Sequence, residues 1–278
     1  MQVSNLSMLF MAVSAIISIG TPIFLFLFFR KRFSMSTIPL LVGIAAFVVF
    51  VLILESFIHR LILQPSPTGE IALKNQPLLY VLYGVFMAGV FEETARFLSF
   101  HLLKKKYGGI GTGISYGIGH GGIEAVILAG VAMISNLVFS MMINSGATAS
   151  LPEAIQGEVL GKITTALTDT APYMFLISGI ERIFAIAIQI SLSIIVFYSV
   201  FCKGKRWLFP LAILIHAIVD CPAAIMQTGV IKNVFLVEGL AAISALLLAY
   251  LAVSMVRKFN QNIINSQNLD ILQENKEE

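Results

Sequence analysis

Charged residues are scarce in this 278-residue chain: lysine, arginine, aspartate and glutamate make up 12% of it, whereas 58% is hydrophobic. The mean hydropathy is +0.90. A typical soluble domain is about 25% charged, so this composition excludes an ordinary soluble enzyme or binding domain. It indicates instead an all-α protein whose helices cross a membrane several times.

Cysteine is also rare, since the chain contains Cys202 and Cys221 alone. Two cysteines are too few for the disulfide framework of a small secreted protein. The apolar stretches are continuous and lack the alternation of membrane strands, so strands are not expected. No basic residues precede the first apolar stretch and no cleavage signal follows it, which predicts a retained helix and not a signal peptide.

Seven apolar segments are long enough to cross the hydrocarbon core, which requires about 20 residues of helix. They cover residues 5–29, 36–58, 77–103, 110–140, 173–201, 208–226 and 234–256. We therefore predict one transmembrane bundle of about seven helices, residues 1–258. A short polar cytosolic tail follows over residues 259–278.

Lysine and arginine cluster at alternate ends of these segments. One set of ends carries four clusters of three basic residues, whereas the other set carries four scattered basic residues. The clusters are Arg30–Arg32, Lys104–Lys106, Lys203 with Lys205 and Arg206, and Arg257 with Lys258 and Lys276. The positive-inside rule then predicts an outside N-terminus and a cytosolic C-terminus. The net charge of +3 thus reflects topology, and no nucleic-acid partner is expected.

Polar side chains recur at one depth inside the apolar segments. Counted at ~1.5 Å per residue from the predicted cytosolic helix ends, they lie on the order of 12–20 Å below the cytosolic surface. Ionisable groups within a membrane usually face the bundle interior, pair with one another and mark functional sites. We predict that the following residues converge on one site: Glu92, Glu93 and Arg96 on the third helix, His120 and Glu124 on the fourth, Gln189 on the fifth, and His216 and Asp220 on the sixth.

Carboxylates and histidines in this set, without a serine or cysteine nucleophile in register, indicate activation of water. A carboxylate serves as general base, and a histidine orients the water or stabilises an oxyanion. The same residue types bind Zn²⁺, for which His120, His216 and Glu93 are the candidate ligands. Spacing alone does not choose between these chemistries. A buried salt-bridge network that only fixes helix packing is the structural alternative.

Two other features have simpler interpretations. Glycines at positions 109, 113, 117 and 121 form a smooth face of the fourth helix, either for plain helix packing or to leave room for a substrate segment. Glu55, His59 and Arg60 lie near the outer end of the second helix, where side chains commonly snorkel to the interface. Glu181 and Arg182 are expected to bridge neighbouring helices.

Four motifs resemble those of the CAAX-protease and bacteriocin-processing superfamily. The likeness is strongest to its YhfC-type branch of intramembrane proteases, which is related to PrsW-type proteases, and it covers about residues 80–225. The motifs are EETAR (Glu92–Arg96), YGIGHGGIEA (Tyr116–Ala125), ERIFAIAIQI (Glu181–Ile190) and HAIVD (His216–Asp220). Two departures stand out: the second motif offers both His120 and Glu124, and Gln189 stands where the resemblance leads us to expect a histidine.

The resemblance implies that Glu92 or Glu93 activates water together with His120. His216 and Asp220 would then orient the scissile carbonyl or stabilise its oxyanion, and the arginine of the first motif would position the glutamates. It also implies a bacterial cell membrane as location. Whether zinc takes part is left open.

The sequence therefore predicts an intramembrane endopeptidase that cleaves a peptide or membrane-protein substrate within or near the cytosolic half of the membrane, surrounded by membrane lipids. The main rival is a catalytically silent scaffold or immunity-type protein of the same fold. An ion- or proton-coupled transporter is disfavoured, because the chain shows no pair of broken helices in corresponding halves.

Overall fold

The computed structural model describes residues 2–65 and 71–277, except for the side chains of residues 150 and 262–277. Within these ranges the chain is helical and contains no strand, which confirms the all-α prediction. The α-helices are α1 (Asn5–Arg30), α2 (Thr37–Phe47), α3 (Ser56–Ile62), α4 (Pro77–Leu103), α5 (Gly111–Ala125), α6 (Ala132–Ser145), α7 (Glu158–Asp169), α8 (Pro172–Phe201), α9 (Leu208–Gln227) and α10 (Val234–Glu277).

Two π-helical segments join consecutive α-helices into longer spans. Val48–Glu55 connects α2 to α3, and Val126–Val131 connects α5 to α6. π-helical turns are uncommon and occur frequently at functional sites. The second of these segments follows α5, which carries the candidate site residues His120 and Glu124.

Seven helical spans within the described ranges are long and apolar enough to cross a membrane. They are Asn5–Arg30, Thr37–Ile62, Pro77–Leu103, Gly111–Ser145, Pro172–Phe201, Leu208–Gln227 and Val234–Gln261. Each overlaps one predicted segment, so the protein is a multi-pass integral membrane protein. The backbone of α10 continues as a helix to Glu277, through residues predicted to form the polar tail.

Local sequence explains several helix ends. Ser4 caps α1 by accepting a hydrogen bond from the backbone N–H of Ser7, as N-cap serines commonly do. Pro77 and Pro172 occupy the first positions of α4 and α8, where the missing N–H of proline costs nothing. Gly146 ends α6 in the left-handed region, with φ of 75°, a conformation that glycine adopts without strain.

Helix α8 is the centre of the bundle. In the most apolar stretch of α8, 72% of the residues are buried, whereas this share is 17–33% in the other six spans. It packs against α1, α4, α5, α9 and α10. Large apolar side chains on α1, α3 and α10 are exposed instead, as expected for helices whose outer faces contact lipid.

Helix α5 approaches α8 closely through its glycine face. Cβ atoms added at Gly113, Gly117 and Gly121 would come within 3.2, 2.6 and 2.7 Å of atoms of α8. At Gly109 an added Cβ would meet nothing within 4 Å. Three of the four glycines thus serve helix packing, and the interpretation that they leave room for a substrate segment is wrong.

Candidate active site

Glu92, Glu93 and Arg96 lie side by side in the middle of α4, and all three are buried. Arg96 donates through Nη1 to Glu93 Oε1 and through Nη2 to Glu92 Oε2, the latter at 3.3 Å. Its Nε donates to Ser193 Oγ on α8 at 3.2 Å. Spacings of three and four residues bring the side chains together. One guanidinium therefore binds both carboxylates and ties them to the central helix.

Each glutamate is also bonded to one histidine from another helix. His120 Nε2 on α5 lies 2.9 Å from Glu92 Oε2, and His216 Nδ1 on α9 lies 2.6 Å from Glu93 Oε1. An ionised carboxylate only accepts hydrogen bonds, so these two ring nitrogens carry the protons. The carboxylate pair of α4 is therefore bonded to two other helices, α5 and α9.

The second nitrogen of His216 faces two further carboxylates. His216 Nε2 lies 3.4 Å from Asp220 Oδ2 and 3.8 Å from Glu92 Oε1. The Asp220 side chain is 40% exposed, whereas those of His216 and Glu92 are 3% and 9% exposed. Asp220 is therefore the part of the cluster that faces outward.

Gln189 on α8 connects this cluster to a second group of charges. Its Nε2 donates to Glu92 Oε2 at 2.9 Å and to Glu124 Oε2 at 2.6 Å, and its Oε1 accepts from Arg96 Nη2. Arg182 Nη1 donates to Glu124 Oε1 at 3.2 Å and also pairs with Glu181. The structure thus brings all eight predicted site residues into one network contributed by α4, α5, α8 and α9. Both His120 and Glu124 of the second motif take part in it.

Two buried atoms of the network have no hydrogen-bond partner among the described residues: Glu93 Oε2 and His120 Nδ1. An unsatisfied buried polar group costs about 1–3 kcal/mol. Such groups in a folded protein call for an explanation, for which catalysis is one candidate.

Sequence reasoning missed Glu55, which it assigned to the membrane interface. Glu55 ends the first π-helical segment and is 5% exposed. Its Oε1 lies 3.2 Å from His59 Nε2, and His59 Nδ1 lies 2.7 Å from the hydroxyl of Tyr83 on α4. The four-residue spacing of Glu55 and His59 was a signal for this pair, but nothing local indicated its burial.

The candidate zinc ligands do not converge on one point. A catalytic zinc site requires about three protein ligands around one ion, and no group of three histidine, cysteine, aspartate or glutamate side chains in the described part of the chain is arranged in this way. His120 and His216 bind different carboxylates, and the guanidinium of Arg96 lies against both. In this arrangement the set of His120, His216 and Glu93 does not fit a zinc ion.

Comparisons with known proteins identify the family. The family model described as "YhfC intramembrane metalloprotease" matches residues 17–241, so the chain belongs to the YhfC family. The "Uncharacterized membrane protein YhfC" of Bacillus subtilis (strain 168) is 37% identical over 261 residues, which cover 92% of this chain and 99% of that protein. No solved structure gives a significant match.

The YhfC part of the predicted resemblance is thereby confirmed, and the bacterial relative agrees with the predicted bacterial membrane. The wider relation to the CAAX-protease superfamily and to PrsW-type proteases stays a prediction. The family description names a metalloprotease, whereas the cluster described above does not offer a converging set of metal ligands.

Proposed function

We propose that this YhfC-family protein is an intramembrane endopeptidase that hydrolyses a peptide bond with water activated by Glu92. The observation that carries the proposal is the buried carboxylate pair, in which one arginine binds both glutamates and each glutamate binds its own histidine. A cluster that only held helices together would not require two histidines on adjacent carboxylates. The family description supports proteolysis as the reaction class.

Glu92 is the better general base of the two glutamates. Glu93 is completely buried, and its Oε1 is bound by both Arg96 and His216. Glu92 has Oε2 bound by His120, Gln189 and Arg96. Its Oε1 points instead toward His216 Nε2, 3.8 Å away and beyond hydrogen-bond distance. Oε1 is therefore the carboxylate oxygen best placed to take a proton from water.

His216 is the group that we assign to the scissile carbonyl. Its Nδ1 is held by Glu93, which fixes the ring and directs Nε2 toward Asp220 and Glu92 Oε1. With a proton on Nε2 as well as on Nδ1, His216 is an imidazolium and donates a hydrogen bond from Nε2 to the oxyanion that forms on the carbonyl oxygen. Preorganised donors of this kind supply a large part of the stabilisation of acyl-transfer transition states.

The proposed reaction balances without a further reactant. Glu92 takes one proton from water, and the water oxygen bonds to the carbonyl carbon. The tetrahedral intermediate then collapses with cleavage of the C–N bond, and the leaving amine receives the proton from Glu92. Arg96, His120 and Gln189 hold Glu92 in place, so they are positioning residues. No step passes through a metal ion.

The experiment compares wild-type protein with Glu92→Gln and with Glu158→Gln as a matched control. Glu158 lies on α7 with its side chain 82% exposed, so the control makes the same chemical change outside the cluster. New protein N-termini that appear in cells with wild-type protein, and not with Glu92→Gln, identify substrates by mass spectrometry. A purified substrate then gives the rate, which should fall by about 10²–10⁴-fold in Glu92→Gln, the usual contribution of a general base.

Stability measurements separate the catalytic role from the structural alternative. Arg96 keeps Glu93 as a partner when Glu92 is neutral, so Glu92→Gln should fold and insert into the membrane. A folded Glu92→Gln protein that cleaves at the wild-type rate would refute the assignment of the base. If wild-type protein cleaves nothing and all variants of the cluster misfold, the correct interpretation is a catalytically silent scaffold.

A further inference from the structure

A cleft of about 360 Å³ lies beside the catalytic cluster, between α3, α4 and α9. Asp220 lines it, and Asp220 is also the outward-facing member of the cluster, 3.4 Å from His216 Nε2. Glu92, Glu93 and Arg96 on α4 and His120 on α5 are buried. The cleft therefore leads to the side of the cluster on which His216 Nε2 and Glu92 Oε1 lie.

The cleft runs toward one end of the bundle. Its lining extends from Asp220 to Tyr80, close to the start of α4 at Pro77, and to Gln227, the last residue of α9. The basic clusters at 104–106 and 203–206 lie at the opposite ends of these two helices. With the orientation predicted by the positive-inside rule, the cleft opens toward the extracytoplasmic side.

Polar contacts recur along the cleft. The Tyr80 hydroxyl lies 3.5 Å from Gln227 Oε1, and the Tyr83 hydroxyl lies 2.7 Å from His59 Nδ1. His59 is held in turn by Glu55. An extended peptide within a membrane needs partners for its backbone N–H and C=O groups, since lipid offers none. Hydroxyl, imidazole and amide groups along the wall can supply them.

Small side chains create the space. A Cβ added at Gly84, on the α4 wall, would meet nothing within 4 Å. At Gly89, further along the same helix, an added Cβ would come within 2.9 Å of the backbone oxygen of Ile213 on α9. Helices α4 and α9 are thus in close contact at Gly89, whereas the surface at Gly84 is open.

We propose that this cleft is the path by which water and substrate reach Glu92 and His216, and that it binds an extended polypeptide segment that enters from the extracytoplasmic side. The inference rests on the proposed function and adds the direction of entry and the binding surface. Glu55 is a positioning residue that holds His59 at the wall. The substrate is then a membrane or exported protein whose cleaved segment is reachable from outside the cytosol.

The first test fills the cleft. Gly84→Trp places a large side chain where the structure has room. The matched control is Gly239→Trp on α10, because a Cβ added at Gly239 also meets nothing within 4 Å. We expect Gly84→Trp to fold and insert like wild type but to lose cleavage to the level of Glu92→Gln, and Gly239→Trp to retain it. If Gly84→Trp does not fold, Ala88→Trp on the same wall takes its place. Wild-type cleavage by a folded cleft-filling variant overturns the inference.

The second test does not depend on proteolysis. The two native cysteines are first removed by Cys202→Ser and Cys221→Ser, and Ala224→Cys then places one thiol in the cleft. We expect this thiol to react with a membrane-impermeant thiol reagent added outside intact cells. The reaction should be slower when Gly84→Trp is present as well. Ala129→Cys, at a position only 2% exposed, is the unreactive control. Absence of reaction at Ala224→Cys overturns the entry path. If Ala224→Cys reacts but wild-type protein cleaves nothing, the proposed function fails and the cleft is a water path only.

Discussion

The contact between α5 and α8 provides a sharp test of the site geometry through Gly117→Ala. The added Cβ would lie 2.6 Å from Ile190 Cα and 3.1 Å from Ser193 Cβ. Carbon atoms in ordinary contact are about 3.5–4.0 Å apart. Ile190 Cα belongs to the backbone and cannot rotate away, so α5 and α8 must separate by roughly 1 Å.

That separation acts directly on His120, which lies three residues after Gly117 on α5. Its Nε2 is 2.9 Å from Glu92 Oε2, and a displacement of about 1 Å would break this hydrogen bond. Misplacement by about 1 Å can cost roughly 10²-fold in rate. Overpacking also destabilises by about 1–3 kcal/mol, which the loss of backbone freedom in the unfolded chain offsets by about 0.5–1 kcal/mol.

The assay measures cleavage of an identified substrate and thermal unfolding in the same detergent. We expect Gly117→Ala to lose both rate and stability, and Gly239→Ala, at a position where an added Cβ meets nothing within 4 Å, to lose neither. A Gly117→Ala protein with wild-type stability and rate would refute the close packing of α5 on α8. Loss of cleavage with unchanged stability would mean that the substitution displaces His120 without weakening the contact between the helices.

Two further predictions concern the network around Glu92. Arg96→Lys should destabilise the protein by about 1–3 kcal/mol, because the donors of an ammonium all lie on one nitrogen and do not reproduce the planar fork that reaches both carboxylates, Gln189 and Ser193; an unchanged unfolding temperature would contradict this. Gln189→His should weaken cleavage and should not add stoichiometric zinc, since one imidazole cannot replace all three hydrogen bonds of the amide. If metal analysis found zinc only in the histidine variant, or if only that variant were active, the proposed reaction of the native chain would be contradicted.

Sequence patterns could predict much of this structure, because membrane helices are encoded by local composition. The apolar runs predicted the seven spans. Four-residue spacing correctly predicted that Glu92 contacts Arg96 and that His216 contacts Asp220. The common depth of polar residues on separate helices predicted that His120 would meet the glutamates of α4. The lipid environment makes such inference effective, since polar groups have few other places to go.

Contacts that depend on helix rotation could not be predicted in the same way. Glu55 was expected at the interface, but the π-helical segment Val48–Glu55 ends on it and the side chain is buried. Nothing in an unbroken apolar run marks where a helix changes its winding. Likewise, the link from Arg182 to Glu124 joins α8 to α5. The cleft combines α3 and α4 with α9, which is more than 100 residues further along the chain.

Gln189 shows how the individual contacts combine into one chemistry. Glu92 and Glu124 both require donors, whereas Arg96 Nη2 requires an acceptor, and the amide serves all three at once. A neutral imidazole offers one donor and one acceptor, and a cationic one offers no acceptor. The amide therefore completes the network around Glu92 Oε2 without adding a charge or a strong metal ligand. That arrangement leaves Glu92 Oε1 free of hydrogen bonds beside His216 Nε2. Glu93 Oε2 is also unpartnered, but Glu93 is completely buried, so Glu92 is the carboxylate that we assign to the activation of water.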